Sequence, residues 1–275
     1  MQNALVHAIE ANLLDAYERL GRALEADFHR DARYTAFFSA SKLALCNGVS
    51  RFHCAPEEAD TILAIIEREA RARQAAVTCL VGPSTRPNDL EQRLTQRGWS
   101  LDEEVPGMAI DLARWRAPAS TVSVREVTEN SMLASWLSVL CTGFGFPEAL
   151  QQVFNGLYRR YGFSPDRSLR FFLGFKNNEP VATTLLVEGG GTVGLYGIAT
   201  VPHARRLGIG TAITIAAMQE ARQAGHRYAT LQATPMGFPL YRRLGWHTCT
   251  HFKTFIYRPA STDTRARNAR PETNE

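Results

Sequence analysis

The chain has 275 residues, 45% of them hydrophobic, and a formal net charge of +4 in which arginine supplies nearly all the positive side chains. This length supports one large or two ordinary domains, and no apolar run approaches the roughly 18 residues that span a bilayer. No Lys/Arg block exceeds two residues and no basic-aromatic interleaving is visible, so a nucleic-acid partner is not expected, whereas the basic balance suits an anionic ligand.

In chain order, the opening "MQNALVHAIEANLLDAYERL" has acids and no basic segment before an apolar core, so it is not expected to be a secretory signal. Its Leu5, Ile9, Leu13, Leu20 and Leu24 recur at helical spacing and predict an amphipathic helix over about 3–25. Further helices are predicted at about 57–74 and 88–97, with strands at about 48–54, 76–82 and 104–112. "WRAPASTVSV" reads as a break, with a first unit over 1–115, a linker over 116–121 and a second unit over 122–258. There "TVSVREV" starts a strand, and helices follow at about 129–141 and 147–161. "RFFLGFKNNEPVATTLLVEGGGTVGLYGIATV" reads as three strands joined by the turns "NNEP" and "EGGGT", with residues suited to hairpins. A helix over 208–224 closes at Gly225. "RYATLQAT" is the next strand, "GFPLYRRLG" a short helix and "WHTCTHFKTFIY" a last strand. The polar tail 259–275 is expected to be disordered.

Cys46, Cys54, Cys79, Cys141 and Cys249 are odd in number and form no CxxC pair. They read as reduced thiols of a cytoplasmic protein, not as a disulfide frame or zinc site. His247 and His251 are four apart in an alternating stretch, which points both to one face. No metal is expected there.

An internal repeat is visible. "RLTQRGW" (93–99) mirrors "LYRRLGW" (240–246), and each follows a long helix, a strand and a proline-containing loop and precedes a strand. Four consecutive elements match in order, which reads as duplication.

The most chemically pointed stretch is "HARRLGIGT" (203–211), between an apolar strand and a long alanine-rich helix. A helix start leaves N–H groups unpaired and carries partial positive charge, so a glycine-containing loop before it is built to hold a phosphate. Gly208 and Gly210 open the helix and Arg205 and Arg206 add cations. No lysine follows, as a P-loop requires, and Ile213 replaces the third glycine of a dinucleotide fingerprint.

"IATVPHARRLGIGT" (198–211) followed by "PLYRRLGW" (239–246) resembles the two signatures of the GNAT superfamily of acetyl-CoA-dependent N-acetyltransferases, over about 122–257. The resemblance implies an α+β (α/β) GNAT fold, with a mixed, mostly antiparallel sheet flanked by helices, in two tandem lobes. It implies that the backbone of Arg205, Arg206, Leu207, Gly208, Ile209, Gly210 and Thr211 holds the pyrophosphate of acetyl-CoA. Ile198, Ala199 and Thr200 would pair with pantetheine, and one of their amides would face the thioester oxygen. Tyr241 would act as general acid toward the departing thiolate, the alternative being packing alone. Thr234 and Gly237 stand where relatives often have Asn and Ala. Thr234 is a candidate cofactor contact. No metal is implied.

No base stands out. "TVGLYGIAT" lacks the glutamate that some relatives place on this strand, and Glu188 lies at the far end of the preceding one. Phe144, Phe146, Glu148 and Tyr196 are candidates for the acceptor pocket. The first unit has neither glycine pair nor arginine at its helix start, "CAPEEADTIL", and has Leu94 where Tyr241 stands. It reads as a degenerate GNAT-like lobe or as an unrelated domain. The expected activity is direct acetyl transfer to a primary amine, with a small acceptor favoured over a protein, in a monomer or homodimer. A non-catalytic acyl-CoA sensor and an acyltransferase acting on a large partner through a basic surface are the alternatives.

Overall fold

The computed structural model describes residues 2–116, 118, 122–161 and 168–260. Most of the predicted linker, and the predicted tail from residue 261 on, lie outside the described residues. In chain order the elements are α1 (Gln2–Ala23), β1 (Asp27–Arg30), β2 (Thr35–Phe38), β3 (Asn47–Ser50), α2 (Pro56–Arg73), β4 (Val77–Val81), α3 (Leu90–Gln96) and β5 (Ser100–Asp111). Then come β6 (Ser123–Glu126), α4 (Asn130–Phe144), α5 (Glu148–Tyr161), β7 (Leu169–Lys176), β8 (Glu179–Gly189), β9 (Thr192–Thr200), α6 (Ile209–Gln223), β10 (Tyr228–Gln232), α7 (Phe238–Arg243) and β11 (His247–Tyr257).

The predicted elements all form, and their punctuation is as read. Asn177 and Asn178 (φ 50° and 65°) and Gly190 and Gly191 (φ 58° and 75°) turn the two hairpins, and Gly225 (φ 89°) closes α6. The segment predicted as a strand over 48–54 forms a shorter one, and β1 and β2 were not predicted. Each of those is four residues long, and β1 lies largely exposed at the sheet edge. Their turn is set by Asp31, whose carboxylate accepts the N–H of Arg33 (2.7 Å) and of Tyr34 (3.2 Å), an Asx-type turn with no glycine or proline to announce it.

The strands form one sheet in the order β1-β2-β3-β4-β11-β5-β10-β9-β8-β7-β6. All neighbours are antiparallel except β3 with β4 and β9 with β10. About the β11–β5 pair the order β1 to β4 is mirrored by β7 to β10, with β6 the strand left over. β11 runs between β4 and β5, and β5 runs between β11 and β10, so each half of the chain supplies its last strand to the other. The two repeat ends also coincide in detail. Trp99 N–H donates to Leu94 O (3.0 Å) and Trp246 N–H to Tyr241 O (3.1 Å), with Gly98 and Gly245 at φ 84° and 93°.

Helices cover both faces. α6 and α7 bury Met218, Tyr241 and Leu244 against Phe172, Leu186, Leu195, Met108 and Leu231, and α2 and α3 cover the same face of the first half. α4 packs Leu133, Trp136 and Leu140 on the opposite face of β7 to β9. α1 lies on that face too, with Ile9 and Leu14 against Leu80, Ala109 and Phe252. Its Asn12, fully buried on the apolar stripe, donates to Val187 O (2.9 Å) and Gly189 O (3.0 Å) and accepts from Tyr196 Oη (2.8 Å). The first helix is thereby fastened to the second half.

Candidate active site

The site begins where β9 leaves β10. Their parallel ladder holds only at Val193 with Ala229 and Gly194 with Thr230. Beyond it β9 keeps its pairing with β8 but has none with β10. A bulge drives the departure. The β8 register shifts between Thr183 and Leu185, and Gly197 sits at φ 55°, a conformation that costs a glycine nothing. Buried threonines absorb the displaced carbonyls: Thr183 Oγ1 donates to Gly197 O (2.8 Å) and Thr184 Oγ1 to Tyr196 O (3.5 Å). Ile198, Ala199 and Thr200 thus line the β9 arm of a forked sheet.

At the end of that arm the chain passes one 3-10 turn and enters α6. Six consecutive backbone N–H groups, Arg206 to Thr211, have no acceptor among the described residues, and no side chain caps the helix. Gly208, the cap residue, is at φ 77°, and Arg206 is also left-handed at φ 60°. Ile209 is buried and anchors the turn, while Leu207 and Gly208 face outward. Successive N–H groups in such a turn converge into an anion-binding concavity. The fork and this nest fit an extended ligand with an anionic end, as the chemistry of acetyl-CoA requires.

The two arginines divide. Arg205 Nε donates to Thr200 O (3.1 Å) and its Nη2 to Gly143 O (2.7 Å), so its guanidinium straps the end of β9 to the end of α4. This corrects the expectation of a second phosphate cation: Arg205 contributes rigidity, and the exposed Arg206 is the cation left beside the nest.

On the other arm, Tyr241 in α7 is 7% exposed. Its ring meets Trp246 edge-on at 6.1 Å, and burial pushes its phenol up to about 12. It is therefore a proton holder across the neutral range. A Cβ on Gly237 would lie 2.7 Å from Tyr241 Cε2, so glycine where relatives often have alanine gives the ring its place. Thr234 Oγ1 accepts the Gly237 N–H (3.2 Å). It closes the turn into α7 and keeps its own proton to donate.

The acceptor-side candidates separate. A Cβ on Gly143 would lie 2.7 Å from Ala199 Cβ, which brings the α4–α5 junction against the fork. There Phe144 and Phe146 stack at 5.2 Å and Phe146 and Phe154 at 5.8 Å, with Phe144 outermost at 43% exposed. Glu148 is exposed and accepts from Gln152 one turn on (3.1 Å), as a solvated first-turn acid does. Tyr196 is a correction to the expected open lining: its hydroxyl is sealed beneath α1 on Asn12, and burial raises its pKa. Glu188 pairs with His226 (3.1 Å) at the far end of β8. The two histidines also differ from expectation. A bulge between Thr248 and Thr250 pairs His247 with Ala109 but His251 with Pro106, and odd and even residues of β5 face opposite ways.

The first half shows what a closed version looks like. β3 and β4 are parallel at only two pairs, like β9 and β10. Beyond them, Arg86 N–H donates to Phe52 O (2.9 Å) and Cys54 N–H to Arg86 O (3.3 Å), so the chain's own loop occupies the fork. Glu10 of α1 pins that loop through Ser84 N–H (3.1 Å). At the start of α2, Glu58 reaches back to Ala55 N–H (3.1 Å) and Glu57 adds a second acid.

A forked, mostly antiparallel sheet with an uncapped glycine turn is the GNAT fold. Residues 133–246 match the model of the acetyltransferase (GNAT) family. Among solved structures, the chain is similar to a GCN5-related N-acetyltransferase from Kribbella flavida at 16% identity and TM-score 0.71, covering 90% of this chain and 95% of that one. It is similar to a GCN5-related N-acetyltransferase from Sphaerobacter thermophilus at 18% identity and TM-score 0.62, covering 82% and 77%. It also resembles a tandem GNAT protein from the clavulanic acid biosynthesis pathway at 13% identity and TM-score 0.56, covering 84% and 79%. At these identities the likeness is one of fold. No curated protein matches the chain.

The sequence did not single out Gln232, Asn12 or the strap made by Arg205. Asn12 had one signal, a polar residue on an otherwise apolar helical stripe.

Proposed function

We propose that the chain is an N-acetyltransferase that moves an acetyl group from acetyl-CoA to a primary amine by direct attack in a ternary complex. The second half does the chemistry, and residues 1–115 are a degenerate copy of the same fold. The observation that carries this is the run of six unpaired N–H groups at Arg206 to Thr211, set at the end of the splayed β9 arm.

Acetyl-CoA supplies the activated acyl group. The amides of Arg206 to Thr211 hold its pyrophosphate, Arg206 adds charge, and Ile198 to Thr200 offer backbone partners along the β9 arm. A backbone N–H there stabilises the oxyanion that develops under attack, a role for which fixed donors suit because they need no reorganisation. Tyr241 is kept protonated by burial and hands its proton to the departing sulfur. Phe144 and Phe146 wall the acceptor side, with Glu148 at its rim. A direct route is favoured because Cys249, in the β11 bulge, has its thiol pKa raised by burial.

The alternative, an acyl-CoA-binding module without turnover, is favoured by one observation: β9 carries no carboxylate to take the amine's proton. Release of free thiol from acetyl-CoA against a panel of small primary amines separates the two. Turnover with any amine supports the enzyme, and saturable binding without turnover supports the sensor. The acceptor is proposed to be a small molecule, and the protein a cytoplasmic monomer or homodimer. No described helix is long and apolar enough to cross a membrane.

A further inference from the structure

Four buried polar side-chain atoms have no hydrogen-bond partner among the described residues: Ser50 Oγ, Thr230 Oγ1, Gln232 Nε2 and Trp246 Nε1. Two of them stand two residues apart on β10, and so share a face. Leu231 and Ala233 belong to the core under α6 and α7, which puts Thr230 and Gln232 on the opposite face, the one α1 covers. Thr230 is flanked on both sides, by Gly194 of β9 and Ala109 of β5. Gln232 is one step further along. It is still opposite Gly107 of β5, but β9 has already left the ladder.

The surroundings offer Gln232 little. Gly107 has no side chain, and Phe252 and Thr250 fill the space where one would go. Asn12, the polar residue α1 sets over β9, is engaged with Val187, Gly189 and Tyr196. An amide N–H buried without an acceptor has lost its bonds to water and recovered nothing, which is why native interiors rarely keep one. Here the unmet donor belongs to the β10 residue beside which β9 has left the ladder, next to the fork in which the acyl group is proposed to lie.

We propose that Gln232 is a substrate-binding residue whose Nε2 donates a hydrogen bond to an oxygen of a substrate lodged between β9 and β10. This rests on the acyl-transfer reading given above. The oxygen belongs to the thioester, to a pantetheine amide or to the acceptor, and each source leaves a different trace.

Gln232→Met keeps the length of the side chain and removes the donor. Because Nε2 bonds to nothing in the free protein, the variant's Tm should match or exceed the wild type's. Acetyl-CoA and CoA are then titrated calorimetrically into both proteins. About a tenfold loss is expected, as for one hydrogen bond. Loss for acetyl-CoA alone identifies the thioester oxygen, and equal loss for both a pantetheine carbonyl. With neither affected, a tenfold rise in KM for whichever amine of the panel is turned over identifies the acceptor. A Tm lowered by several degrees overturns the proposal, because Gln232 is then a structural bond. So does a variant unchanged in all three measurements while the wild type binds acetyl-CoA. A wild type that binds no acetyl-CoA overturns the underlying acyl-transfer reading instead, and this inference with it.

Discussion

At the scale of single residues, the site separates groups that act from groups that hold. Under the proposed function, Tyr241 belongs to the first kind. Tyr241→Phe should lower kcat about 100-fold or more, the usual worth of a positioned acid, with acetyl-CoA affinity within about twofold. Stopped-assay thiol release and calorimetry check both numbers, and an unchanged kcat would leave the ring a packing role only. The raised phenol pKa also has a stability consequence. Between the ordinary value near ~10 and the folded value of about 12, the unfolded chain loses this proton first. The contribution is therefore fully present below pH ~10 and is lost as pH rises through 12. Tyr241→Phe should flatten that part of an alkaline denaturation curve. The two arginines give opposite predictions. Arg205→Met should destabilise the fold by about 1–3 kcal/mol by releasing two carbonyls from one charged fork, with the loss read in a denaturant midpoint. Arg206→Gly should raise stability slightly, because φ 60° suits glycine, yet weaken acetyl-CoA and reduce the salt dependence of its binding.

At the scale of elements, the decisive feature is how two similar helix starts differ. α2 is closed by Glu57 and Glu58 and its fork by Arg86, whereas α6 has no acid in its first turn and no cap. Gly210→Asp exploits the difference. A Cβ there meets nothing nearer than Thr200 Oγ1 at 3.4 Å, and an acid in the first turn favours a helix by roughly 0.3–1 kcal/mol. The variant should keep or gain Tm while acetyl-CoA affinity falls at least 100-fold, since the added charge opposes the pyrophosphate. Unchanged affinity would mean that the turn only joins two elements. This part of the molecule was legible in the sequence because glycines, arginines and the tyrosine helix carry local signals at fixed spacing. The strap of Arg205, the sealing of Tyr196 and the orphan amide of Gln232 were not. Each depends on a partner distant in the chain, or on the lack of one, and local periodicity is silent about both. The opposite facing of His247 and His251 was missed for a related reason: a bulge adds one residue to the count of alternation.

At the scale of the whole molecule, the halves are tied by exchanged strands and by α1. The likeness of the RGW and LGW ends was readable, and the two share one backbone geometry, but the exchange of β5 and β11 was not, because pairing partners are set by the assembled sheet. The tie can be tested at Asn12. Asn12→Leu removes three hydrogen bonds to the second half and leaves Val187 O, Gly189 O and Tyr196 Oη short of partners. A loss of roughly 2–5 kcal/mol is expected, in the range for breaking a buried polar network, as one cooperative transition and not two. On the proposed function, the second half of the sheet grips acetyl-CoA, whereas the first has filled its own fork. Calorimetric titration of the full chain with acetyl-CoA tests it most directly. One saturable site per chain is expected, lost in Gly210→Asp; two sites, or none, would overturn this reading.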